Sequence, residues 1–242
     1  MRWHVCSLNP RMSNPPISTI DAGGVRYNTS FITEPCLALF DPNTPSLQAQ
    51  AVTQGGRNAA WFIEHNGQQA VLRHYKRGGI IAKVVQQYYF WTGANRTRSW
   101  AEFSVLLHLR HNQVAVPIPL AALWERAFLG YRAAIIVARI PAALPIAHQL
   151  ENTCAEAVAF AVKKMHDAGV WHADLNVFNV LIDAQQQIHL IDFDKAKILS
   201  VVNSKQRQNN VLRLRRSLIK VRGEIGLRWF EQFNHAYQQL NY

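Results

Sequence analysis

The stretch that most narrows the folds open to this chain lies in its second half. Residues 153–168 follow a helical pattern, with Ala157, Phe160, Ala161 and Met165 expected on the buried face, and Gly169 supplies the stop. The polar loop His172-Ala-Asp174-Leu-Asn-Val-Phe-Asn179 comes next. Two short apolar runs, 180–182 and 188–191, are then joined by Asp183-Ala-Gln-Gln-Gln as a small hairpin, and Asp192-Phe193-Asp194 leaves its second strand. Such a hairpin is rigid. An Asp entering it, an Asn five residues later and an Asp leaving it can therefore converge on one point from both sides.

That convergence has a chemistry. Asn179 and Asp192 offer hard oxygen ligands, and Mg²⁺ takes one or two carboxylates and completes its shell with water and substrate phosphates. The remaining carboxylate, Asp174, faces an incoming hydroxyl. In phosphoryl transfer such a group orients the hydroxyl and accepts its proton.

Elsewhere the pattern is that of one folded unit. Of the 242 residues, 49% are hydrophobic and 17% charged, which is material for one or two modest cores. Residues 1–20, with Pro10, Pro15 and Pro16, read as an irregular arm. Residues 59–64 and 69–75 are strand-like runs around His65-Asn66-Gly67-Gln68, and Asn-Gly between such runs is a strong hairpin signal. Residues 80–91 and 99–111 read as helices, the second with Trp100, Phe103, Leu106 and Leu107 at a 3–4 spacing. Residues 133–138 read as a buried strand, and Pro141 and Pro145 as linker punctuation. From Asn210 onward, Val211, Leu214, Leu218 and Val221 share one helical stripe, and Arg213, Arg216 and Lys220 another. Cys6, Cys36 and Cys154 are too few and too scattered for a disulfide framework or a zinc-ligand pair, which favours a reducing compartment. The most apolar stretch, 131–147, is interrupted by Arg132, Arg139, Pro141 and Pro145, so no membrane span is expected.

The net charge of +11 is concentrated in two places. Six cations and no acid fall between Arg73 and Arg98, and eight cations with one acid, Glu224, between Lys205 and Arg228. Two basic segments on a nearly neutral body read as local anion-binding faces. A basic RNA-binding protein is the non-enzymatic alternative. Such a module has no need of Asp174, Asn179 and Asp192 in this order.

Loop, strand, turn, strand and Asp-Phe in sequence resemble the protein-kinase-like superfamily, whose catalytic loop begins His-Arg-Asp-Leu and closes on Asn, and whose metal motif reads Asp-Phe-Gly. His172, Asp174, Leu175, Asn179, Asp192 and Phe193 carry the match. The resemblance implies an α+β, two-lobed protein-kinase-like fold. Its N-lobe, over residues 21–145, would be built on an antiparallel sheet, and its C-lobe, over residues 146–242, would be small and mainly helical. ATP and Mg²⁺ are implied, with Asp174 as catalytic base, Asn179 and Asp192 as metal ligands, and His172 supporting the loop by hydrogen bonds. A nucleotide clamp is implied as well: Gly55 and Gly56 at a hairpin turn, and Arg73 in place of the superfamily's Lys, with Lys76 as second candidate. Glu102, the only acid between Glu64 and Glu125, is the expected partner of that cation. The chain departs from the pattern at Arg73, at Asn176, where protein kinases commonly carry Lys, and at Asp194, where they carry Gly. Only 48 residues follow Asp194, too few for a peptide-docking lobe, so a small atypical kinase acting on a non-protein hydroxyl is expected.

Residues 71–79, 171–176 and 212–218 resemble more narrowly the 3-deoxy-D-manno-octulosonic acid (Kdo) kinases, which are related to the heptose kinases of the lipopolysaccharide core. This resemblance implies transfer of the ATP γ-phosphate to the 4-hydroxyl of Kdo on a lipid A precursor. It also implies a peripheral enzyme at the cytoplasmic face of the bacterial inner membrane, with an anionic glycolipid as partner and no nucleic acid. A kinase for a lipopolysaccharide heptose, a small molecule or a protein is the enzymatic alternative. Within the segment 76–98, residues 80–91 with Lys83, Tyr88 and Trp91, flanked by Arg96 and Arg98, read either as a surface that meets the bilayer or as a plain core helix.

Overall fold

The computed structural model describes residues 16–20, 23–52, 60–75, 89–90, 93–127 and 130–240. Strands β1 (Ile17–Ile20), β2 (Gly23–Tyr27), β3 (Gln50–Ala51), β4 (Ala60–His65), β5 (Gln68–His74) and β6 (Tyr89–Phe90) precede helix α1 (Arg98–His111). Strands β7 (Pro119–Ala127), β8 (Gly130–Ala138) and β9 (Leu144–Pro145) lead to α2 (Ala155–Asp167). Short strands β10 (Val170–Trp171), β11 (Val180–Ile182), β12 (Ile188–Leu190) and β13 (Lys197–Ile198) come before the long α3 (Ser204–Gln239). The class is mixed α and β around a large antiparallel sheet.

That sheet runs β1-β2-β7-β8-β5-β4-β3, with β6 paired to the start of β8. The β4–β5 hairpin closes on Asn66 and Gly67, both at positive φ (51° and 72°), the tight turn that Asn-Gly favours. Two expectations change here. The end of the supposed irregular arm, Ile-Ser-Thr-Ile, is the strand β1, because β-branched residues fit a pleated edge paired to β2. Tyr89–Phe90 is a strand, and the remainder of the helix expected over 80–91 lies outside the described residues apart from this pair.

Side chains alternate across β5, and this positions the site. Ala70 and Leu72 enter a core roofed by Phe31, Ile32, Leu39, Phe40 and Leu47 from the segment after β2. Arg73 and Tyr75 face the other way, toward α1, where Tyr75 joins the larger core of Trp100, Phe103, Leu106 and Leu109.

On α2 the buried stripe is Ala155, Val158, Ala159, Val162, Met165 and His166, and Phe160 is exposed at 56%. The expected face was thus rotated from the true one. Ala and Val face inward, keeping the approach of α3 close, and a Phe in that seam would hold the helices apart. A reciprocal pair of 2.9 Å hydrogen bonds between Asn203 and Gln206 caps α3. The helix breaks at Gly223 (φ 54°, ψ −130°), which ends the stripe of Val211, Leu214 and Leu218 and leaves Val221 exposed. Trp229, Phe230 and Phe233 resume the packing beyond the break.

Candidate active site

Glu102 projects from the buried face of α1 and is 3% exposed. Its Oε1 accepts from Arg73 Nη2 and its Oε2 from the Tyr75 hydroxyl. Burial pushes the Glu102 carboxyl above the usual carboxylate range, with Arg73 opposing that rise. Arg73 Nη1 donates to Asp192 Oδ1. Burial alone would lower the guanidinium, and the two carboxylates override it and hold it charged. One cation from β5 therefore links α1 to the turn after β12. Asp192 sits at φ 62°, a left-handed conformation that Asp tolerates better than most residues.

Two residues on, Asp194 receives Arg98 as a fork, with Arg98 Nε 2.7 Å from Oδ1 and Arg98 Nη2 on Oδ2. Arg98 opens α1, so Asp194 ties that helix to the turn after β12 a second time. This also corrects the bilayer expectation for Arg98, which is turned inward by its ion pair.

The loop between β10 and β11 is held from within. The His172 ring is fully buried and lies 4.7 Å from the Phe193 ring, centroid to centroid. The Asp174 N–H donates to His172 Nδ1 at 3.0 Å, so Nδ1 carries no proton and Nε2–H donates to the Ile191 carbonyl at 3.0 Å. Burial lowers this imidazole below its ordinary range, and the neutral tautomer is the one the contacts require. His172 thus fastens the loop to the strand end just before Asp192. Asn176 and Asn179 each donate from Nδ2 to the Asp174 carbonyl, at 3.1 and 2.9 Å. This leaves Asn179 Oδ1 as the end of that amide with no hydrogen-bond partner among the described residues.

A contact invisible to motif reading comes from α3. Arg213 places Nε and Nη2 each 2.6 Å from Asp174 Oδ1, with both side chains 46% exposed. On the same stripe, Asn210 brackets His172 by accepting from its N–H (3.2 Å) and donating to its carbonyl (2.5 Å), and Ser217 Oγ accepts from the Val177 N–H at 3.0 Å. The polar spacing Asn210, Arg213, Ser217, beside the apolar spacing Val211, Leu214, Leu218, was the available signal. Tyr75, two residues from Arg73 on one strand face, was another.

The structure therefore joins Arg73, Glu102 and Asp192 through side chains, and Asp174, Asn179 and His172 through the loop backbone. Gly55, Gly56 and Lys76 lie outside the described residues. Among the described residues no three His, Cys, Asp or Glu side chains cluster as a metal cage. Asn179 and Asp192 contribute an amide oxygen and a carboxylate, hard oxygen donors of the type that suits a cation completing its shell with other oxygens.

Comparison with known proteins gives consistent matches. The profile of the lipopolysaccharide kinase (Kdo/WaaP) family matches residues 44–237. A 3-deoxy-D-manno-octulosonic acid kinase of Xylella fastidiosa (strain 9a5c) is 38% identical over 223 residues, covering 89% of each chain. Proteins of the same name from Stenotrophomonas maltophilia (strain R551-3) and Xanthomonas campestris pv. campestris (strain B100) are 39% and 36% identical. They cover 84% and 90% of this chain, and the matches span 82% and 88% of their own lengths.

Proposed function

The chain belongs to the lipopolysaccharide kinase (Kdo/WaaP) family, a family of phosphotransferases acting on an alcohol group, and on that premise we propose that it is a Kdo kinase of lipopolysaccharide biosynthesis. In this reading it transfers the γ-phosphate of ATP to the 4-hydroxyl of Kdo on a lipid A precursor. The observation that carries the proposal is the division of labour about the β11–β12 hairpin. Arg73, braced by Glu102, reaches Asp192 on one side, and on the other Asp174 presents a carboxylate oxygen with no partner among the described residues.

In the proposed step the acceptor hydroxyl oxygen bonds to the γ-phosphorus as the bond from that phosphorus to the bridging oxygen breaks. ADP departs with the bridging oxygen, and the hydroxyl proton passes to Asp174 Oδ2. Arg73 serves the nucleotide, with Glu102 and Tyr75 fixing its orientation. Mg²⁺ held by Asn179 and Asp192 would offset negative charge on the phosphate oxygens. Gly55 and Gly56 keep their proposed role at the phosphates. The sheet with α1 and the helical remainder form the two lobes of this reading, 21–145 and 146–242. Its setting is peripheral, at the cytoplasmic face of the inner membrane. No described helix is long and apolar enough to cross a bilayer.

Radiolabelled ATP offered with a Kdo-lipid A precursor, a heptose-bearing acceptor, an aminoglycoside and a peptide tests the reading. Label is expected on the Kdo-lipid alone. Label on the heptose would reassign the acceptor, and label nowhere would end the proposal.

A further inference from the structure

We propose that Arg213 is the residue that recognises the acidic group of the acceptor, selecting a hydroxyl that lies beside an anion. The inference rests on the reading above, in which Asp174 is the base and the acceptor is a sugar acid.

Geometry comes first. Arg213 spends two of its five N–H donors on a single oxygen of Asp174, leaving three donors and the other carboxylate oxygen without hydrogen-bond partners among the described residues. Both side chains remain half exposed, so the pair adds little to stability. Its position is nevertheless fixed. Asn210 and Ser217 fasten α3 to the loop on either side of Arg213, which holds this stretch of the helix against Asp174.

Charge supplies the second argument. No Lys or Arg occurs from Trp171 to Asp194, and Asn176, where protein kinases carry a loop cation, spends its side chain on the loop itself. Arg213 is thus the cation paired with Asp174 among the described residues, and without it an acidic acceptor would meet Asp174 as an unpaired like charge. With Arg213 in place, the acceptor's carboxylate takes the free edge of the planar fork while its hydroxyl takes the free oxygen of Asp174. One guanidinium then fixes both the base and the group it acts upon. The curated relatives are named for a sugar that is itself an acid, which is the chemistry this arrangement selects.

The test compares a Kdo-lipid acceptor carrying its free carboxylate with the same acceptor as the carboxyl methyl ester, in the wild type, Arg213→Gln and Arg213→Lys. The wild type is expected to favour the acid by roughly 10- to 100-fold in kcat/KM, mostly through KM, as for a charge-assisted hydrogen bond. In Arg213→Gln the preference is expected to collapse toward unity because the acid loses its advantage, with an intermediate preference in Arg213→Lys. A preference unchanged in Arg213→Gln overturns the inference. So does an equal fall in kcat for both acceptors with their ratio preserved, which would assign Arg213 to the transferring phosphate. Failure of the underlying reading looks different: the wild type would phosphorylate neither acceptor.

Discussion

The Asp174 side chain is half exposed and its structural hydrogen bonds come from its backbone, so removing the carboxylate separates chemistry from folding. Asp174→Ala is expected to lower kcat by roughly 10²- to 10⁴-fold while leaving thermal stability and ATP affinity near wild type, checked by steady-state kinetics beside a nucleotide-binding titration. Arg73 is the opposite case. It reaches Glu102 with one nitrogen and Asp192 with another, a span that a single ammonium does not reproduce. Arg73→Lys is expected to raise KM for ATP about tenfold and to leave KM for the acceptor unchanged; equal effects on both substrates would refute a nucleotide role. These pairs also mark what was legible in the residues. Glu102 was the sole acid available over a long stretch, so charge scarcity pointed to it. Arg213 and Arg98 find carboxylates 39 and 96 positions away, and several neighbouring cations competed for the assignment. Sequence distance carries no signal of that kind.

The elements were readable where one face is wet. The β4–β5 and β11–β12 hairpins and the helix α1 show their periods and punctuation, whereas α2 shows its extent but not its buried face. The strand β7 does not, since Leu120, Ala121, Ala122 and Leu123 are buried on both faces and show no alternation. The seam between α2 and α3 was likewise hidden, because its key is polar. There His166 Nε2–H donates to Asn210 Oδ1 at 3.0 Å, and His166 Nδ1 accepts from the Tyr237 hydroxyl at 2.7 Å. Burial pushes the His166 imidazole down to about 4, so the folded protein holds it neutral. The unfolded chain binds the proton near 6.5, and it therefore binds more protons than the folded state between those values. Stability is full above about pH 6.5 and is lost as pH falls toward 4, by on the order of 3 kcal/mol from this residue. His172, lowered by burial as well, adds a loss of the same sign. Urea midpoints at pH 7.5, 6 and 5 should fall steeply for the wild type. His166→Gln should be less stable at pH 7.5 but show a shallower dependence; parallel slopes would remove His166 as the cause.

Across the whole molecule, the excess of positive charge divides into cations already spoken for and cations still facing solvent. In the terminal basic segment Arg207 pairs with Asp167, Arg213 with Asp174 and Arg222 with Glu151, and Arg215 lies 5.9 Å over the Phe230 ring. Lys205, Arg216, Lys220 and Arg228 are exposed and form no ion pair among the described residues. Leu212, Val221 and Ile225 are exposed beside them, a mixture of free cations and apolar side chains suited to an anionic bilayer surface. Asp174 pairs with Arg213 of this same helix, so in the proposed reading a membrane-docked α3 keeps the proposed base close to the lipid surface. Each Lys or Arg near an anionic leaflet contributes about 1 kcal/mol. The triple variant Arg216→Gln/Lys220→Gln/Arg228→Gln should then partition roughly 100-fold more weakly onto vesicles rich in anionic lipid, with little change on neutral ones. Wild-type binding should also weaken steeply as salt rises. If sedimentation finds the triple variant bound as tightly as the wild type, α3 does not face the membrane, and the remaining basic segment before α1 becomes the surface to mutate.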